Sequence, residues 1–219
     1  MVAVEPSLRF LMGRSSDHKV ELIGGYTFLR MKDNLNIAST SRDLFTGNLI
    51  PDNTVFRTVD NFSATNTFHG GHIGLESKIN RRRVSLGTLA KVSIGNFTQT
   101  TSTTGSTTIA PPPGTVPGAP FAGGLYTQQS NIHNFTREKF GFIPELGVNG
   151  GFNLNSNIQL TAGYSFLYLS NVALAGNQVD RNIDFTQAQG GPLGTQPSGA
   201  YRDGSTWYQG LNLGVNMTY

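Results

Sequence analysis

Cysteine is absent from this sequence, which removes disulfides, thiolate chemistry and thiolate-bound metals together and is compatible with export. Charge is scarce: Asp, Glu, Lys and Arg make up 13% of the residues, about half the roughly 25% of an average soluble domain. No run of about 18 apolar residues occurs, so a membrane-spanning helix is excluded. The mean hydropathy of −0.22 leaves a membrane barrel open, because the water-facing half of each strand offsets the lipid-facing half. Met1 to Pro6 has neither a charged n-region nor an apolar h-region, so an exported protein would have its signal peptide outside this sequence. A basic stripe interleaved with stacking aromatics is also missing, the net charge is only +3, and no nucleic-acid partner is expected. There is no Ser/His/Asp spacing, phosphate-cradling glycine loop or HExxH, so the expectation is a non-enzyme with no cofactor.

What the chain does have is alternation. In the last stretch Trp207, Gln209, Leu211, Leu213, Val215, Met217 and Tyr219 alternate with Tyr208, Gly210, Asn212, Gly214, Asn216 and Thr218. A strand sends successive side chains to opposite faces, so one face is almost wholly apolar and the other small or polar. An apolar band of roughly ten residues bracketed by rings is what a strand needs to cross a bilayer. Leu211, Leu213, Val215, Met217 and the final Tyr219 also resemble the C-terminal signal by which outer-membrane barrels are read by the insertion machinery.

The same period appears in Glu5–Gly13, Val20–Phe28, Thr67–Ile79, Val84–Gly95, Lys139–Phe152 and Ile158–Tyr168, giving seven strands in three hairpins and a closing strand. Pro144 cannot donate to a ladder and predicts a bulge. Residues 31–66, 98–130 and 171–204 are polar, or rich in Thr, Ser, Gly and Pro, and are expected to be long loops. The 98–130 stretch lacks the apolar surface to order itself independently. Short turns alternating with long loops orient an outer-membrane barrel: the turns are periplasmic and the loops extracellular.

The expected architecture is therefore all-β, a single domain over 1–219 forming an antiparallel up-and-down transmembrane β-barrel. With seven strands the first and last run the same way and close only in parallel. At least one more strand is expected, from a missing N-terminal segment or other protomers, or from residues 53–67. A soluble lipid-binding barrel has the same period with inside and outside exchanged. The membrane reading is preferred because charges sealed in a dry core cost several kcal/mol each unless paired, whereas a wet lumen tolerates them.

An ordered series of motifs carries a family resemblance. It runs through Val20-Glu-Leu-Ile-Gly-Gly-Tyr-Thr-Phe-Leu-Arg30, Phe68-His-Gly-Gly-His-Ile-Gly-Leu-Glu76, Lys91-Val-Ser-Ile-Gly-Asn96, Gly123-Gly-Leu125 with Gln129-Ser-Asn131, and Pro144-Glu-Leu-Gly147. It continues in Gly163-Tyr-Ser-Phe-Leu-Tyr168, Ser170-Asn-Val172, Gln178-Val-Asp-Arg181 and Trp207 with Gln209-Gly-Leu-Asn212. The chain resembles the C-terminal portion of the planctomycete putative β-barrel porin family. The resemblance implies an outer-membrane barrel whose relatives carry a signal peptide and further N-terminal strands, and it supplies no catalytic or ligand residues.

Among single residues, Arg9, Glu21, His72, Glu76, Lys78, Lys91, Lys139 and Glu145 fall on the polar parity and are expected to face the lumen. There they either set ion preference or brace the interior by cross-strand pairing. Tyr26, Phe28, Phe140, Phe152, Tyr168, Trp207 and Tyr219 are the expected lipid-facing girdle. His69 and His72 look like a metal pair, but their spacing of three puts them on opposite faces of a strand. Asp180, Arg181, Asp184, Arg202 and Asp203 cluster in the last loop, where solvated or Arg-paired carboxylates are favoured over calcium ligands. Arg81, Arg82 and Arg83 form a turn, either solvated or against anionic headgroups. The expected function is a porin-like passive channel for small solutes in the bacterial outer membrane, in contact with its lipid and the insertion machinery. A non-conducting structural or surface-display barrel is the alternative.

Overall fold

The computed structural model describes residues 1–44, 51–112, 118–184 and 194–217. Its strands are β1 (Val2–Val4), β2 (Ser7–Arg14), β3 (His18–Arg42), β4 (Val55–Arg81), β5 (Val84–Ala110), β6 (Phe121–Ala122), β7 (His133–Asn153), β8 (Ile158–Ala173) and β9 (Asp203–Met217). All belong to one antiparallel sheet in the order β1-β3-β4-β5-β7-β8-β9, with β2 also on β3 and β6 on β5. β1 and β2 pair successive stretches of β3 and act as one strand broken at Glu5-Pro6. The seven long members curl into a half-barrel. Among the described residues β2 and β9 are not paired, so the sheet keeps two open edges.

Strand number and hairpin order agree with the sequence reading, but strand length does not. β3 runs to Arg42 and β4 begins at Val55, so most of the expected loop 31–66 is a continued ladder from Met31↔Asn66 to Arg42↔Val55. Residues 55–67 are the upper half of β4, not a separate eighth strand. The Thr/Ser run after Thr98 is also strand, paired to β4 through Val55↔Ala110 and to β7 through Thr103↔His133. β-branched threonines fit a pleated surface that has neighbours on both sides, although they could not order alone. Pro144 sits opposite Val92 with no register shift. The expected bulge is absent because its missing N–H lies toward β8, where the ladder stops at Glu145↔Leu167.

The face polarity inverts partway along each long strand. On β3, Val20, Leu22, Tyr26 and Phe28 lie on the convex face and Glu21 on the concave one; beyond them, Arg30 and Lys32 are convex while Leu29 and Met31 are buried inside. β4 changes between Ile73 and Thr67, β5 between Ile94 and Thr98, and β7 between Phe140 and Glu138. The convex face thus carries an apolar belt roughly ten residues tall, the length of a tilted spanning strand. In β9, Leu211 and Leu213 are 84% and 85% exposed on that face.

Inside, the row Gly70, Gly95 and Gly141 lies directly beneath the aromatic pair Phe68 and Phe97, whose centroids are 4.8 Å apart. A Cβ on Gly95 would come within 2.1 Å of the His69 carbonyl oxygen, so the sheet can curl here only without a side chain. Gly95→Ala is expected to lower stability by about 1–3 kcal/mol. Gly13→Ala, with nothing within 4 Å of the new Cβ, should leave it nearly unchanged. Urea midpoints of the two variants refolded in vesicles measure the difference.

Candidate functional site

The concave face is built in layers that follow the register. In the lowest, Lys19 lies opposite Lys78, and in the next Glu21 lies opposite Glu76. Like charges directly across a ladder repel, and the layers cancel each other. Lys19 Nζ is 2.7 Å from Glu21, Lys78 Nζ is 3.3 Å from Glu76, and Arg9 donates to Glu76 at 2.5 Å and lies 3.8 Å from Glu21. Above them Lys91, almost fully buried, bridges Glu5 at 2.5 Å and Glu145 at 2.7 Å. Gly74 opposite it leaves room for the lysine stem, since a Cβ there would meet Lys91 Cβ at 2.9 Å. His72 sits one row higher between Ser7 Oγ at 2.9 Å and Thr27 Oγ1 at 2.8 Å.

The next layer is dry. Leu29, Met31, Phe68, Phe97, Ile143, Leu169 and Val172 form one buried cluster on the concave side. Its last two members come from the end of β8, which parts from β7 after Leu167 and slips in register against β9 between Leu169 and Val172, with a left-handed Asn171 (φ 50°). Ser170 Oγ takes over the lost pairing by accepting from Phe142 N and donating to Phe142 O at 2.8 and 2.9 Å, and Asn171 Nδ2 donates to Phe140 O. The chain then crosses inward into a 3-10 turn, Ala175–Gln178.

Side chains of the opposite wall hold this crossing segment. Asn66 Nδ2 donates to Ala173 O at 2.8 Å and its Oδ1 accepts from Ala173 N at 2.7 Å; Asp33 accepts from Ala175 N at 2.8 Å. Gln99 donates to Asn171 O and accepts from Arg137 and from the Tyr201 hydroxyl. Higher still, the buried Asp60 carboxylate accepts from the amides of Leu125, Tyr126 and Thr127 and from Thr127 Oγ1, folding residues 123–131 over the same face. Asn66, Asp33, Gln99 and Asp60 escaped the sequence reading because they lie where loops were expected. Their parity with Ala64, Phe68 and Phe97 was the available signal.

All eight residues expected to face a lumen, Arg9, Glu21, His72, Glu76, Lys78, Lys91, Lys139 and Glu145, lie on the concave face. Tyr26, Phe28, Phe140, Phe152, Tyr168 and Trp207 lie on the convex face, as do Leu211, Leu213, Val215 and Met217. Tyr219 is outside the described residues. His69 is convex, with its ring 2.5 Å from the Tyr26 hydroxyl and against Phe28, and so is turned away from His72. Among the described residues no group of three or more His, Cys, Asp or Glu could hold a metal ion.

The loop cluster comes apart into separate roles. Asp180 accepts from the Asn182 and Ser198 amides at 3.0 and 2.7 Å, which hold its carboxyl below the usual range. Asp203 is held low chiefly by its hydrogen bond from Lys139, with Arg137 adding its field at 2.8 Å. Arg137 also stacks on Tyr201, 3.8 Å above the ring centre. Arg181 and Arg202 line a cavity of about 770 Å³ with Asp203, Leu35, Ile37 and Tyr126.

An antiparallel half-barrel with an apolar convex belt, a concave face of ion pairs and an inward-folded segment defines a barrel protein of porin type. The chain belongs to the family Putative beta barrel porin-7 (BBP7), whose model matches residues 1–219. No curated protein and no solved structure matches it. Membership of a porin family implies an outer-membrane location.

Lys91→Met should cost about 1–3 kcal/mol, because it takes their shared cation from the partly exposed Glu5 and Glu145 carboxylates. Lys78→Met, at an exposed pair, should cost less than about 1 kcal/mol. Chemical denaturation in vesicles compares them. Asp180 and Asp203 titrate below their unfolded values, so their contribution is full above about pH 4 and is lost as pH falls through the depressed folded values. Protease cleavage within 178–203 is expected to stay constant down to about pH 4 and to rise below it.

Proposed function

We propose that this chain forms the wall of an outer-membrane barrel that passes small polar solutes along its concave side, with residues 169–178 as the constriction. One observation carries the reading: at the same height on the same strands, the convex face is exposed and apolar while the concave face carries Lys91, Glu145, Arg9, Glu76 and Glu21 in ion pairs. A soluble lipid-binding barrel needs the reverse arrangement. The signs inside are mixed, which favours bracing of the wall with weak ion preference over a ring of one sign. Lipid of the outer membrane meets the belt, and the insertion machinery reads Leu211, Leu213, Val215 and Met217. Unpaired backbone groups in hydrocarbon cost several kcal/mol each, so the open edges of β2 and β9 take further strands, from another segment or another protomer.

The buried apolar cluster favours a second reading, a non-conducting structural or surface-display barrel, because an apolar layer on the concave side opposes the passage of ions. The two readings separate in planar bilayers. For a porin, the protein gives stepwise conductance that rises severalfold when Asn66→Ala and Asp33→Ala release the crossing segment. Silence from both proteins rejects the channel. Orientation is tested independently with the single tryptophan, Trp207, 57% exposed on the convex face. Its fluorescence should be strongly quenched by brominated acyl chains, and an unquenched Trp207 rejects the membrane reading altogether.

A further inference from the structure

The basic turn between β4 and β5 has no part in the interior. Arg81 pairs with Val84, so Arg82 and Arg83 are the whole connection of a two-residue hairpin. Such turns favour Gly or Asn at residues with positive φ, yet Arg82 stands there at φ 47°. A backbone position that glycine would fill at lower cost is occupied by a guanidinium, and a retained strain of this kind points to a use for the side chain. The adjacent β2–β3 turn is tied to it by the Asn80 amide donating to Asp17 O at 2.7 Å, while Arg14, opposite Lys19 in register, falls on the concave side and takes no part.

All three arginines of the turn are exposed, and among the described residues none is in an ion pair. The nearby Glu21 and Glu76 are already occupied by Lys19, Lys78 and Arg9. The neighbouring hairpin tip, Leu154-Asn-Ser-Asn157, carries no charge at all, so the positive charge is confined to one sector of the rim. Height fixes the ligand class. The turn lies at the end of the convex apolar belt, next to the exposed Ile79, Val84, Leu86 and Phe152. That is where acyl chains give way to phosphate.

We propose that Arg81, Arg82 and Arg83 form a binding site for the phosphate of an anionic phospholipid in the leaflet at the short-turn end. Guanidinium forks hold phosphate oxygens in bidentate fashion, while Ile79, Val84 and Leu86 take the upper acyl chain. The site rests on the membrane orientation proposed above, but not on conductance.

The test uses the full chain reconstituted in phosphatidylcholine vesicles containing spin-labelled phosphatidylglycerol or spin-labelled phosphatidylcholine. The motionally restricted fraction should favour phosphatidylglycerol by at least about fivefold, the factor one interfacial arginine is worth. The triple variant R81Q/R82G/R83Q should bring the preference close to one. Arg82→Gly suits the positive φ, so the variant keeps its hairpin, and unchanged Trp207 quenching by brominated lipid verifies insertion. An unchanged preference in the triple variant overturns the site. Equal suppression by millimolar inorganic phosphate overturns the lipid as its ligand. Quenched Trp207 with no lipid preference sinks the site alone, whereas unquenched Trp207 sinks the membrane reading beneath it.

Discussion

The structure depends on one backbone constraint: every N–H and C=O along a strand needs a partner, because an unpaired backbone group away from water costs as much as a lost hydrogen bond. The antiparallel ladder meets it between β3 and β7 over more than the belt itself, from Val55↔Ala110 to Arg81↔Val84 without a register shift. Once the ladder is continuous, side chains have only two faces to choose from, and the chemistry of the protein is sorted by parity. Where β8 parts from β7 after Leu167, Ser170 and Asn171 restore the lost pairing with side-chain atoms, which shows how strictly the rule is kept.

The inversion of face polarity turns this sorting into a map of surroundings. Below Phe28 and His69 the convex side is apolar and the concave side charged; above them the convex side carries Arg30, Lys32 and Thr67, and the concave side Leu29, Met31 and Phe68. The lower half has a charged inside and an apolar outside, whereas the upper half is apolar inside, where it packs on inward-folded loops. The same strands therefore carry two opposite polarities, with the glycine row Gly70, Gly95 and Gly141 at the change between them.

The concave face combines ion-paired rows with inward-folded chain. Like-charge pairs Glu21/Glu76 and Lys19/Lys78 stack so that each row neutralises the next. Above, amide and carboxylate side chains of Asn66, Asp33 and Asp60 grip the backbone of two crossing segments. Backbone gripping of this kind fixes a segment's path without depending on its sequence.

The alternation by itself determined the class, the number of long strands, their hairpin order and the face on which Leu211, Lys91 or Trp207 would lie, because a period of two leaves a side chain no third direction. It did not reveal that β3, β4 and β5 run on through the expected loops, since the apolar residues change parity at Leu29 and the single stripe being followed ends there. The gripping of Ala173 by Asn66 joins residues more than a hundred positions apart, and only the curled sheet brings them together. Pro144 likewise looked like a break, and the tertiary structure decided otherwise by turning its nitrogen toward the one neighbour that had already left the ladder.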